Sequence, residues 1–371
     1  RVSSAVGRGS DDASSALISM TTDGEDVRTH ASSPLATVIR ISPAGGHVAY
    51  REAGRLYLAA LPVTGRTIAL SSVHTIASGP TSFVTERISA PGGEFVQWSR
   101  DGGSLTWSVG PRFMRYTIDD SLGTATTKAT QIADLSLRVE SDRPEGLVAF
   151  INARVITMNE ARDTLESGVV VVRENRIESV GRMGEIVIPS EAKIVDLGGK
   201  TLLPGYIDAH AHGPYARDDI IPQNNWSLLA HLALGVTTVH NPSSRAAQVF
   251  PAAEYQRAGV TLGPRIFSTG EIIYGAKSTG FDPIESLDDA KTVVDRLKAQ
   301  GAISVKNYNQ PRRAQRQMVI EAARDAGMLV VAEGGSLYNM DMNLVADGST
   351  GIEHNIPTLE IYDDVRQFWS S

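Results

Sequence analysis

His210 and His212 stand one residue apart at the end of the apolar run Leu203-Pro204-Gly205-Tyr206-Ile207-Asp208-Ala209. Side chains two apart on a strand share a face, so this spacing predicts two imidazoles aimed at one point, with Asp208 one step beneath them. Two convergent imidazoles are half of a metal site. Pro204-Gly205 breaks the chain before the strand, and His212-Gly213-Pro214-Tyr215 reads as loop, which puts the pair at a strand-to-loop junction. Barrel enzymes carry their chemistry at such junctions, and a purely structural histidine pair is the alternative.

The segments that must position this pair alternate regularly. Asn225 to Leu234 is predicted as a helix stopped by Gly235, followed by a strand over Val236 to His240. A helix over Arg245 to Ala258 leads to a strand over Arg265 to Glu271. The helix over Leu287 to Ala299 has Ser286 as N-cap, Asp289 completing a capping box, and Gly301 as its stop. Then come a strand over Ile303 to Tyr308, a helix from Pro311 closing at Gly327, a strand over Leu329 to Glu333, a helix over Met340 to Ala346, and the strand Gly351-Ile352-Glu353-His354.

Such alternation predicts a parallel sheet with ligand groups at the strand C-termini. A doubly wound sheet would also alternate, but no Gly-rich phosphate fingerprint follows the first strand. An incomplete (β/α)8 TIM barrel over residues 204–371 is therefore expected, with six of its eight strands present.

Upstream, the sequence repeats itself. Ile41-Ser42-Pro43-Ala44-Gly45-Gly46-His47-Val48-Ala49-Tyr50 aligns with Trp98-Ser99-Arg100-Asp101-Gly102-Gly103-Ser104-Leu105-Thr106-Trp107, each a strand, a Gly turn and a strand ending in an aromatic. A further short strand follows each copy, at Arg55 to Ala60 and Arg112 to Thr117. These are blade-like hairpins, so residues 34–119 are expected to form a partial all-β propeller, with a small sandwich carrying a chance repeat as the alternative. Residues 1–33 are polar and expected to be disordered or an edge segment, and 120–146 a linker with one strand in Gln131 to Val139. Strands at Leu147 to Met158, Gly168 to Val172, Arg176 to Val180 and Ile194 to Leu197 predict a compact β module leading into the His-x-His strand.

The 371 residues, 42% hydrophobic and 21% charged, are ordinary globular material with enough apolar content for two or three cores. A net charge of −7 with mixed signs offers no basic face to nucleic acid, and no apolar run is long enough to span a membrane. With no cysteine, any metal must sit on His, carboxylate or modified Lys. The chain opens on Arg1 without an initiator Met or an apolar leader, so it is expected to be an internal slice of a longer polypeptide.

The chemistry-bearing residues at the predicted strand ends are His210 and His212, His240, Glu271, Lys306, Glu333 and His354. Together they resemble the amidohydrolase superfamily, metal-dependent hydrolases with a sandwich wrapped around a (β/α)8 barrel, which implies a small β-sandwich over 147–203. The resemblance covers about 147–371 and is carried most specifically by Ile151-Asn152-Ala153-Arg154-Val155-Ile156-Thr157 and Leu202 to His212. The repeat upstream resembles the TolB-type propeller.

The resemblance implies His-x-His on strand one, a carboxylated lysine on strand four, histidines on strands five and six, and an aspartate on strand eight. His210, His212, Lys306 and His354 match by motif, Lys306 being the candidate bridging carbamate, and Glu333 stands where the strand-five histidine would be. It implies one or two Zn2+, with Mn2+ or another divalent metal as alternatives. It implies hydrolysis of a C–N bond in a cyclic amide, N-acyl amino acid or Xaa-Pro-type dipeptide by a metal-activated water. No residue takes the strand-eight role, since Asp363 and Asp364 lie just past strand six, so a chain of this extent is expected to be inactive.

Each candidate has a plainer reading beside it. Lys306 could reach solvent, Glu333 could cap a Gly-rich turn, and His240 suits a loop or supporting position. Tyr274 and Tyr308 could donate to a developing oxyanion or simply pack. His47, His74 and His231 carry no chemical signal. A propeller-based protein or peptide interaction module with a degenerate barrel is the second functional hypothesis. Partners are expected to be a small molecule or short peptide, with a homo-oligomer left open, and the TolB likeness suggests a periplasmic or secreted location by analogy alone.

Overall fold

The computed structural model describes residues 2–3, 15–52, 54–62, 65–70, 85–118, 129–217, 220–274, 281, 284–310, 312–335 and 337–356. Its strands run in chain order as β1 (Val2–Ser3), β2 (Ser15–Ser19), β3 (Arg28–Ser33), β4 (Ala36–Ile41), β5 (His47–Glu52), β6 (Arg55–Ala60), β7 (Ile68–Ala69) and β8 (Thr85–Ser89). Then come β9 (Glu94–Trp98), β10 (Ser104–Val109), β11 (Arg112–Thr117) and β12 (Thr130–Asp134). The chain continues through β13 (Leu147–Ile156), β14 (Thr164–Arg173), β15 (Arg176–Arg182), β16 (Lys193–Asp196), β17 (Thr201–Leu202) and β18 (Tyr206–Asp208). Among the described residues, helices enter after this point: α1 (Trp226–Ala233), β19 (Val236–Asn241), α2 (Ala246–Arg257), β20 (Arg265–Ser268), α3 (Leu287–Gln300), β21 (Ser304–Asn307), α4 (Arg313–Asp325), β22 (Leu329–Glu333), α5 (Tyr338–Ala346) and β23 (Gly351–Glu353).

The chain divides into two compact units. One holds Arg1–Leu137, Pro242–Phe250 and Ser268–Ser371, and the other Arg138–Asn241 and Pro251–Phe267. The sheet of residues 147–202 falls in one unit with β18 and β19, and β21 to β23 in the other with the N-terminal sheets.

In the larger unit the repeat folds twice into the same motif. β4-β5-β6-β8 and β9-β10-β11-β12 are two four-stranded antiparallel meanders. Their first turns match bond for bond. His47 N donates to Ser42 Oγ at 3.0 Å and Ser104 N to Ser99 Oγ at 2.9 Å. Gly45 N donates to Ser42 O at 2.9 Å and Gly102 N to Ser99 O at 3.0 Å. Gly45 and Gly102 sit at φ of 79° and 74°, left-handed backbone that glycine adopts without strain. The terminal aromatics Tyr50 and Trp107 are buried and anchor two apolar clusters.

The N-terminal stretch is more ordered than the sequence suggests. Residues 15–33, expected to be loose or an edge, form the hairpin β2–β3 inside the sheet β1-β2-β3-β7. The strand expected in Gln131 to Val139 corresponds to β12, the edge strand of the second meander, which pairs with β11.

The segment 147–203 forms one five-stranded mixed sheet, β15-β14-β13-β16 with β17 also on β13, where a two-sheet sandwich was expected. Apolar side chains of β13 and β14 fall into two clusters. Leu147, Ala149, Val169 and Val171 pack one cluster and Ala153, Val155 and Val170 another.

The β/α alternation yields two three-stranded sheets, β18-β19-β20 in sequence order and β21-β22-β23, with parallel pairing of β18 to β19, β21 to β22 and β22 to β23. Beyond β20, Ile273 makes a parallel bridge to Asn307 on β21, with Ile273 N donating to Lys306 O and Tyr308 N to Ile273 O, each at 2.9 Å. Helix α3 begins and ends as its sequence prescribes. Ser286 and Asp289 form the capping box, and Gly301 closes it at φ 117°. Among the described residues, no helix is long and apolar enough to cross a membrane.

Candidate metal centre

Strand β18 stops at Asp208, so His210 and His212 lie in the turn beyond it and not on the strand itself. Asp208 causes this: its Oδ1 accepts from His210 N at 3.0 Å, folding the chain into a turn. Ala211 N donates to His240 O at 3.0 Å and His240 Nδ1 lies 3.3 Å from Ala209 O, so the turn stays laced to the end of β19. His231 on α1 reaches Asp208 Oδ2 at 3.9 Å, a supporting contact that its helix position did not signal.

The turn still brings the two imidazoles together. His210 Nε2 and His212 Nε2 are 3.0 Å apart, with the rings edge to face at 4.8 Å between centroids. Two nitrogens each about 2.0–2.1 Å from one cation stand about this far apart when the angle between them at the cation is near a right angle, and the same distance suits a hydrogen bond between the rings. On its far side His212 presents Nδ1 to Asn241 Oδ1 at 3.2 Å. Asn241 is 1% exposed and is also hydrogen-bonded to the buried Tyr215. With Asn241 accepting, His212 carries its proton on Nδ1 and leaves the Nε2 lone pair facing His210. The signal for Asn241 was its place at the end of β19, next to His240.

The other unit gathers a second cluster at the ends of β21, β22 and β23. Lys306, with a side chain 3% exposed, places Nζ 2.5 Å from Glu333 Oε2, and His354 Nε2 lies 3.0 Å from Glu333 Oε1. Glu333 thus bridges a lysine and a histidine with its two oxygens. Lys306 is turned inward, not out to solvent. His354 adopts φ 65°, a left-handed backbone that ends β23 and turns the ring back.

Tyr308 lies against Lys306, with Nζ 5.5 Å from the ring centroid. Burial first, then the charge of Glu333 and a hydrogen bond to it, push the Tyr308 phenol above its ordinary range. Tyr274 packs edge-on against Tyr308 at 5.0 Å and Phe281 at 5.6 Å between ring centroids. Glu271 lies beyond β20 and its Oε1 accepts from Ala246 N at 3.0 Å, which serves the start of α2.

The five expected ligands therefore form two clusters, one in each unit: His210 with His212, and Lys306 with Glu333 and His354. Among the described residues, no group of three or more His, Asp or Glu side chains is gathered as a metal site. The donor types suit a divalent cation, since imidazole and carboxylate are ligands for zinc and its neighbours. His74, Asp363 and Asp364 lie outside the described residues.

No known family model matches the chain. It is 34% identical over 64 residues to the 5-methylthioadenosine/S-adenosylhomocysteine deaminases of Bacillus cereus and Bacillus thuringiensis. That stretch is 17% of this chain and spans 14% of the curated relatives' length. Among solved structures, a putative prolidase from Bifidobacterium longum aligns at 24% identity and TM-score 0.47, covering 57% of this chain and 54% of that one. An enamidase described as a member of the amidohydrolase superfamily aligns at 16% identity and TM-score 0.39, covering 54% of this chain and 55% of that one.

Proposed function

We propose that this chain belongs to a metal-dependent hydrolase of C–N bonds and supplies its ligands His210, His212, Lys306, Glu333 and His354, on an incomplete (β/α)8 barrel joined to a partial propeller. The observation that carries this is the 3.0 Å approach of the two Nε2 atoms, with His212 locked from behind by Asn241. A bound divalent cation, zinc or manganese, would acidify a water to near neutrality and polarise the carbonyl of a cyclic amide, N-acyl amino acid or Xaa-Pro-type dipeptide.

The chain's own residues do the positioning. Asn241 holds His212 in one tautomer, and Lys306 and His354 hold the two oxygens of Glu333 in fixed directions. The match to deaminases supports the reading, because deamination also breaks a C–N bond.

The test is metal analysis together with turnover. Near-stoichiometric zinc or manganese and chelator-sensitive cleavage of N-acyl amino acids, dipeptides or cyclic amides are expected from the full-length protein. Absence of both ends the proposal. A second reading is an interaction module whose barrel has lost activity, and the pairing of Glu333 with Lys306 where a histidine was expected favours it. Metal content separates the two.

A further inference from the structure

Asp341, on the first turn of α5, has no part in the chemistry proposed above, yet it is 0% exposed. Its Oδ2 accepts from Gly335 N at 3.2 Å, and Oδ1 has no hydrogen-bond partner among the described residues. Burial pushes the carboxyl above its ordinary range, opposed by that backbone hydrogen bond. A carboxyl group shut away with so little to satisfy it is costly, and its one bond shows where it acts.

That bond falls on the turn Glu333-Gly334-Gly335, by which the chain leaves the end of β22. Gly334 N donates to Glu353 O at 3.2 Å, and a Cβ on Gly334 would lie 2.5 Å from that oxygen and 2.3 Å from Ile352 Cγ2. Glycine is what lets the turn approach β23 this closely. Gly335 sits at φ 80°, and a Cβ there would be 3.0 Å from His354 Cβ. The turn is thus tied to β23 through Glu353 O and to α5 through Asp341 Oδ2. Glu333 enters it and His354 lies across it, and the two side chains meet at 3.0 Å while Glu333 also holds Lys306.

We propose that Asp341 is a positioning residue: through Gly335 N it fixes the Gly334-Gly335 turn that sets Glu333 against His354 and Lys306. This rests on the hydrolase reading for what the Glu333 cluster does, and on the hydrogen bonds alone for how the cluster is held. Asp341→Asn keeps an oxygen for Gly335 N and matches the neutral form that burial favours, whereas Asp341→Leu keeps the size and removes the acceptor.

Covalent labelling of the chelator-treated full-length protein tests this without metal, with an acetylating ester for Lys306 and diethyl pyrocarbonate for His354, both read by mass spectrometry. Asp341→Leu is expected to raise labelling of Lys306 by about tenfold, as loss of one hydrogen bond to a buried carboxyl group allows, and to raise that of His354 as well. Asp341→Asn is expected to label like the unaltered protein. Zinc affinity, read by competition with a chromogenic chelator, should fall by about tenfold in Asp341→Leu and return in Asp341→Asn. Unchanged labelling in Asp341→Leu overturns the assignment, as does an Asn variant that labels like the Leu variant. Faster amide exchange spread over β4 to β11 in Asp341→Leu also overturns it, because the role would then be general support of the unit. If Asp341→Leu does not fold, amide exchange at Gly334-Gly335 in the unaltered protein decides: slow exchange supports the assignment, and exchange as fast as in an open turn overturns it. A full-length protein that binds no metal ends the hydrolase reading while the labelling still decides on Asp341. Unchanged labelling beside metal-dependent turnover removes Asp341 and keeps the hydrolase.

Discussion

Asn241 Oδ1 receives the Nδ1 proton of His212 at 3.2 Å, from a side chain that is 1% exposed and cannot easily move away. Such partners behind a ligating imidazole set both its tautomer and its direction. Asn241→Ala is expected to weaken Zn2+ binding by roughly 10–100-fold, as read by competition with a chromogenic chelator. Asn241→Asp, which keeps the acceptor, should restore most of it. Unchanged affinity in the alanine variant would mean that His212 needs no support.

The pair Lys306–Glu333 is a buried ion pair, with side chains 3% and 13% exposed. Removing one partner strands the other charge, so Glu333→Ala is expected to cost about 3–5 kcal/mol in urea unfolding. Lys306→Met combined with Glu333→Leu should recover most of that, because neither charge remains. A double variant as unstable as the single one would show that packing, not charge, sets the cost.

Gly110 turns the chain from β10 to β11 at φ 57°, and a Cβ added there would lie 2.0 Å from Ala299 O at the end of α3. The contact docks the second meander on a helix of the same unit. Gly110→Ala should therefore lower stability by about 1–3 kcal/mol through strain and overpacking. Gly146, whose added Cβ meets nothing within 4 Å, has a φ of 88°. Gly146→Ala should cost only the backbone part, and equal losses at both sites in thermal unfolding would refute the docking.

Asp347 is held chiefly by the hydrogen bonds from Arg313, at 2.7 Å to Nη2, which keep its carboxyl below the usual carboxylate range. A depressed carboxylate pKa stabilises the folded state above the unfolded value, and that contribution fades as pH falls through the lower folded value. Asp347→Asn should thus be less stable than the unaltered chain at pH 7. The gap should narrow as pH falls below about 4. Urea midpoints at both ends that show a constant gap would contradict this.

Much of the local structure was legible. Ser286, Asp289 and Gly301 announce both ends of α3 because caps depend on neighbours within a few residues. The Ser42/Ser99 turns could be read from the repeat for the same reason. The end of β18 was not, since nothing in a His-x-His spacing tells that Asp208 will close a turn with His210 N.

The sequence by itself determined that two imidazoles would meet, that strands and helices would alternate after residue 204, and where several of them would start and stop, because all of this is written in short-range spacing and capping. Only the tertiary structure decided that Glu333 would span Lys306 and His354 and that Asn241 would stand behind His212. Those relationships join residues distant in the chain. Which side chain pairs with which is settled by packing of whole elements, and no local pattern encodes it.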